Sequence, residues 1–355
     1  MNKWFNIVIL GTLVSFAACT KVENAGDPES IRYAVGSYAA ATKATSEYRA
    51  YESLDNFQSK AFLHAEGAAE GTEFFSSAIT WDGATWSPSH EYYWPKHPQS
   101  YLNFVSWYVN NGITPETISE TAFRIDNRTV APDDRILVAD EAWLQKANTT
   151  TYYTSGVPTL FHHVLSRVKV NVKAINLTDP ELANVTYEVS LDSAKFQGIF
   201  QTGSMSLTNA ALDATGTRAW YSTASPTYLW TTAAGSNADV IEFVSTNTNV
   251  AADYTAILAE RSFIPQSLGD AIKLSLVYSV TTKSNGVVTA TEHHIPANIV
   301  LNTVKNTMNE AITQWVPNKI YTYNIIIDPV GREILLNPVV ETEWDFADDI
   351  NVTVE

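Results

Sequence analysis

The sequence predicts an all-β, mainly β protein of two tandem antiparallel β-sandwich domains with a few short helices. Three observations predict it. Many short segments alternate apolar and polar residues with a period of two, the pattern of strands with one buried face. Two-residue turn signals, Asp82-Gly83 and Asn285-Gly286, sit between such segments. Aromatic residues are plentiful, with 10 Trp, 17 Tyr and 14 Phe in 355 residues, as suits large sheet cores. That length accommodates two domains of about 150 residues each.

The first 18 residues read as a signal peptide and are set aside from the fold. Asn2-Lys3 gives a short positive start, and the apolar run Trp4 to Phe16 is too short for a permanent membrane helix. Phe16-Ala17-Ala18-Cys19 resembles a bacterial lipoprotein box, with Phe16 where leucine is usual, and makes Cys19 the candidate lipidated residue. The alternative is an ordinary signal peptide in which the cysteine is incidental. Cys19 is the only cysteine, so an intramolecular disulfide and a thiol-ligated metal are excluded. The net charge of −16, with no basic stripe, argues against nucleic acid as a partner.

Glu29 to Arg49 is a strand on a tether. Ile31, Tyr33 and Val35 share one face, small Ser37, Ala39 and Ala41 follow, and Thr42 to Glu47 is polar and linker-like. Tyr48-Arg49-Ala50 then offers an accessible arginine. Such a strand, spanning residues 30–41, can fill a groove in its own chain until an arginine-specific protease frees it. It can equally be the ordinary first strand of a sandwich.

Strands are expected next at Phe57 to Ala65, and as a hairpin from Phe74 to Trp86 around Asp82-Gly83. Glu91 to Lys96 and Tyr101 to Tyr108 read as two aromatic strands separated by Pro95 and Pro98. Thr114-Pro115-Glu116 has the chemistry of a helix start running toward Arg124. Arg135 to Asp140 reads as a strand end. Val168 to Lys173 alternates strictly, with valines opposite Lys169, Asn171 and Lys173, as in a half-solvated antiparallel strand. The turn-rich Asn176 to Glu181 is the expected boundary between domains 50–177 and 178–355. Beyond it, strands are expected at Val185 to Ser190, Ile272 to Val280, Val287 to Thr291, Tyr321 to Asp328 and Glu333 to Leu336, and a short helix over Leu301 to Trp315. Ile350, Val352 and Val354 alternate at the extreme end, making residues 349–355 either the last strand of the second domain or a strand donated elsewhere.

No catalytic constellation stands out, and no cofactor is implied. His90-Glu91 lacks the second histidine of a zinc-protease helix, since position 94 is Trp. The adjacent pairs His162-His163 and His293-His294 point to opposite faces on a strand and form no two-ligand clamp. Asp133-Asp134 and the Asp345, Asp348 and Asp349 cluster read as solvated loops before calcium ligands, so no metal is expected. Trp81, Trp86, Trp94, Trp107 and Trp143 are either core residues or an exposed glycan-binding row.

The ordered set of segments resembles the fimbrillin family of Bacteroidales, the FimA-like and Mfa-like pilin lipoproteins. The matching pieces are the box at Cys19, a strand followed by Arg49-Ala50, and Tyr93-Trp94-Pro95 before Leu102-Asn103-Phe104. Ile136 to Asp140, Phe161 to Val170, Lys319 to Ile325 and Trp344 complete it. The resemblance implies transthyretin-like sandwiches, an outer-membrane lipoprotein exported to the cell surface, and cleavage after Arg49 that sheds the lipidated propeptide, residues 19–49. It further implies a fimbrial subunit that polymerises by strand exchange, in which Ile31, Tyr33 and Val35 leave and Ile350, Val352 and Val354 of another chain enter. Expected partners are other fimbrial subunits, an arginine-specific protease, the membrane through Cys19, and a host or bacterial surface ligand. The alternative is a non-polymerising surface lipoprotein that binds glycans or host protein.

Overall fold

A computed structural model describes residues 30–37, 54–65, 68, 70–97, 100–120, 122–139, 142–145, 156–179, 181–208, 227–232 and 239–341. The first half contributes β1 (Tyr33–Ser37), β2 (Asn56–His64), β3 (Thr72–Trp81), β4 (Trp86–Pro88), β5 (Tyr101–Val109), β6 (Thr117–Ile118), β7 (Ala122–Thr129), β8 (Ile136–Ala139), β9 (Ala142–Gln145) and β10 (Val157–His163). The second half begins with β11 (Ser166–Ala174), β12 (Val185–Ile199), β13 (Thr202–Thr208), β14 (Thr227–Thr232), β15 (Asp239–Val244), β16 (Thr248–Val250) and β17 (Thr255–Phe263). It ends with β18 (Gln266–Ser267), β19 (Lys273–Ser284), β20 (Val287–Val300), β21 (Gln314–Trp315), β22 (Ile320–Asp328), β23 (Glu333–Leu336) and β24 (Val339–Glu341).

The first large sheet closes on itself. Its order is β2-β3-β4-β1-β10-β8-β5-β9, and β2 also pairs with β5, so the ladder runs in a circuit back to its start. Alternation assigns its two faces. Phe57 and Ala61 of β2, Leu102 and Phe104 of β5, and Leu137 and Ala139 of β8 point into the circuit. Phe62, Val105, Trp107, Ile136 and Val138 point outward into a second core. There they meet Phe123 and Ile125 of β7 and Met205 and Leu207 of β13. The small sheet carrying those residues, β14-β13-β7-β6, is woven from both halves of the chain.

The second half is a sandwich of two sheets, β17-β11-β22-β23 and β15-β12-β19-β20, over one continuous core. Strand β11 alternates buried and half-buried residues from Ser166 to Ala174, as its valine periodicity predicts. It pairs antiparallel with β17 but parallel with β22, and so belongs to the second sandwich although it precedes Leu177. Asn285 and Gly286 both adopt positive φ at the β19–β20 turn, the geometry a tight hairpin requires.

Several local expectations are corrected. Among the described residues the only helical piece is a 3-10 turn, Leu301–Thr303. Past it the Asn306 side chain accepts from the N–H groups of Met308 and Glu310, and Asn309 adopts positive φ. These local bonds satisfy the backbone without a helix. The helix expected from Thr114 is instead β6 and β7, because Phe123 and Ile125 are drawn onto the outward core by β13. Asp82-Gly83 lies in a four-residue loop closed by the Trp81–Trp86 pair, with Asp82 Oδ1 accepting from the N–H groups of Ala84 and Thr85. Glu91 to Lys96 makes one isolated bridge, Tyr93 with Ser30, and no strand.

Candidate functional site

The site is the seat of β1. The alternation of β1 and of the residues just before it puts Ile31, Tyr33 and Val35 into the circuit, each almost fully buried, with Arg32 exposed on the other face. On one side β1 runs parallel to β10 in register from Tyr33↔Val157 to Ser37↔Phe161. The Val157 N–H donates to the Arg32 carbonyl at 2.7 Å.

The other side is sparse. β1 pairs with β4 only at Tyr33↔Trp86, and the Ile31 N–H reaches the Tyr92 carbonyl at 2.7 Å next to the Ser30–Tyr93 bridge. Between these two points the chain follows β3 instead, through Thr80↔Ser87, Ile79↔Pro88 and the Ser89 N–H to the Ala78 carbonyl. A polar cavity of about 330 Å³ opens there, lined among others by Ser30, Arg32, Ser87, Ser89 and Glu91.

Tyr33 is the centre of the seat. Its ring stands edge-on to Phe57 and Phe104, with centroids 5.6 and 5.9 Å away. Its hydroxyl donates to Ser59 Oγ at 2.9 Å, and Ser59 Oγ lies 2.8 Å from Ser106 Oγ. Burial pushes the phenol pKa far up, against a smaller downward pull from Ser59, so the hydroxyl stays protonated and can donate. At the entrance Gly156 has φ +96°, and a Cβ there would stand 2.8 Å from the Tyr33 carbonyl carbon. Only glycine permits both that φ and that approach.

Of the expected site residues, Ile31, Tyr33 and Val35 are brought together in this seat. Cys19, Arg49, Ala50, Ile350, Val352 and Val354 lie outside the described residues, as do Asp140, Trp344 and the acidic cluster at Asp345, Asp348 and Asp349. Asp134 is wholly buried and bound by Arg128, Asn111 and the Ala131 N–H, a structural role. Among the described tryptophan side chains there is no exposed row: Trp86, Trp94 and Trp107 are buried and Trp81 is exposed, while the Trp143 side chain lies outside the described residues. Among the described residues no group of three or more His, Cys, Asp or Glu is placed to hold a metal ion. Gly156, Ser59 and Ser106 were not singled out from sequence. The available signal was a serine on the inward face of each of two otherwise apolar alternations, Phe57-x-Ser59-x-Ala61 and Leu102-x-Phe104-x-Ser106.

Fold and site together define an all-β sandwich protein whose first strand is lodged inside a sheet completed by later strands. The chain belongs to the fimbrillin-like family, whose model matches residues 42–344, a span that begins after β1. Membership of that family makes it a fimbrial protein. A fimbrial protein from Bacteroides vulgatus has a similar structure, with a TM-score of 0.54 at 14% identity over 89% of this chain and 99% of that one. The tip fimbrial protein Mfa3 from Porphyromonas gingivalis also matches, with a TM-score of 0.39 at 9% identity over 83% of this chain and 97% of that one. No curated protein sequence matches.

Proposed function

We propose that the protein is a fimbrial subunit that polymerises by protease-triggered strand exchange and supports surface adhesion. In this scheme residues 1–18 are removed on export, the lipid on Cys19 holds the precursor at the outer membrane, and a cut between Arg49 and Ala50 separates β1 from the body. Another subunit's strand then takes the place of β1, and the segment carrying Ile350, Val352 and Val354 is donated onward.

One observation carries this reading: β1 is an interior strand of its sheet, yet 18 residues of sequence separate its end at Ser37 from the start of β2 at Asn56. Its departure leaves unpaired backbone on β10 and an open apolar slot. Refilling by an incoming strand restores ladder bonds and pockets together. The three inward side chains contribute roughly 4.5–9 kcal/mol gross, at about 1.5–3 kcal/mol for each buried large side chain. The contact is head-to-tail and does not close, so it builds a fibre.

Limited trypsin digestion of the purified mature protein, with N-terminal sequencing and sizing, tests the scheme. The expected result is one early cut at Arg49 followed by growth of large assemblies. Protection of Arg49, or a clean cut that leaves a stable monomer, overturns it.

A further inference from the structure

We propose that the Ser59–Ser106 hydroxyl pair is a specificity subsite. It makes the seat select an aliphatic-x-Tyr-x-aliphatic strand from another subunit over the C-terminal segment of a second copy of this chain. The inference rests on the strand-exchange reading and names the partner that reading leaves open.

β1 is the seat's own sample of a fitting ligand. Of the three inward side chains of β1 and its lead-in, the outer two, Ile31 and Val35, meet apolar surroundings, whereas the middle one, Tyr33, ends on the buried Ser59 hydroxyl, itself paired with Ser106. Ser59 and Ser106 are 0% and 2% exposed, so no solvent is available to complete their bonding. They bond to each other, and the Tyr33 O–H supplies the further donor at 2.9 Å. A strand with phenylalanine at this position fills the space and forfeits that donor. A strand with valine also leaves a void between Phe57 and Phe104, the two rings that flank Tyr33. Ile350, Val352 and Val354 have the required spacing of two and no aromatic at the middle position. The donated end of this chain is therefore a poor match for its own seat. A mismatch of this kind is how an interface favours a hetero-assembly over a run of identical copies.

The test uses the full mature chain, cut at an engineered protease site in the residue 42–49 tether and loaded with a labelled synthetic peptide of residues 30–41. Competing peptides are the same sequence, its Tyr33→Phe and Tyr33→Val forms, and residues 347–355. The expected order is parent first, the phenylalanine form weaker by about tenfold, and the valine form and the C-terminal peptide weaker by about a hundredfold or more. In a Ser59→Ala protein the gap between tyrosine and phenylalanine closes. A C-terminal peptide that competes within about threefold of the parent overturns the proposal, as does a tyrosine preference that survives Ser59→Ala. If even the parent peptide fails to exchange, the strand-exchange reading fails and the partner preference falls with it. A denaturation cycle of Tyr33→Phe and Ser59→Ala in the uncut chain then shows separately whether the hydroxyl contact is coupled.

Discussion

A Cβ added to Gly156 would stand 2.8 Å from the carbonyl carbon of Tyr33 and 3.0 Å from both the Ala34 nitrogen and the Arg32 oxygen. All three atoms are backbone, so no rotamer change relieves the contact. The start of β10 is thus shaped to receive β1.

Gly156→Ala is expected to lower stability by about 2–4 kcal/mol, combining the strain of a positive φ with the backbone clash. Denaturant unfolding of the uncut chain checks the size. Faster proteolysis between β1 and β2 checks that β1 is the part displaced.

Ile31→Ala is expected to cost about 2–5 kcal/mol in the uncut chain, since Ile31 is buried within the circuit. Once β1 has been cut free and removed, wild type and variant bodies must melt alike. A difference that persists after removal would show that the substitution acts outside the seat.

Arg128→Met is expected to cost about 2–3 kcal/mol, because it strands the buried Asp134 carboxylate among its remaining donors. The low end applies because the Arg128 side chain is itself 26% exposed. Asp134→Asn in the same background should recover part of the loss, read as the urea midpoint.

His163 gives an acid sensitivity of defined sign. Burial holds its pKa well below the usual histidine value, helped by the nearby charges of Arg167, Arg135 and His162. Protonation therefore favours the unfolded chain, whose histidine titrates near 6.5. The contribution is whole above about pH 6.5 and is lost as pH falls toward the depressed folded value, by up to about 1.4 kcal/mol per pH unit. Urea midpoints measured at pH 7.0, 6.0 and 5.0 should fall in wild type and fall less steeply in His163→Gln.

Strands with one wet face were legible from sequence. The valines of β11 and the inward Ile31, Tyr33 and Val35 fall where their period of two puts them. Asn285-Gly286 likewise located its hairpin, since few residues other than Asn and Gly tolerate two successive positive φ values. The missed elements are those whose pattern is decided by distant partners. β7 becomes a strand against β13, which lies 73 residues away at the Thr129–Thr202 hydrogen bond, and nothing local to Thr114-Pro115-Glu116 announces that. β20 reads as five residues because its exposed side chains give no period; its length is set by pairing to β19. In the seat the apolar half was visible, while Ser59, Ser106 and Gly156 acquire meaning only once β1 is docked beside them.

The sheet shared by β7 and β13 has a mechanical consequence. Flexing the chain at the junction of its halves would have to shear a hydrogen-bonded ladder and pull Trp107 and Phe123 from Met205 and Leu207. Among the described residues the two halves are tied by backbone pairing as well as by a shared apolar core. If subunits assemble as proposed, tension along the fibre would load that ladder in shear, the direction in which its several hydrogen bonds share the force.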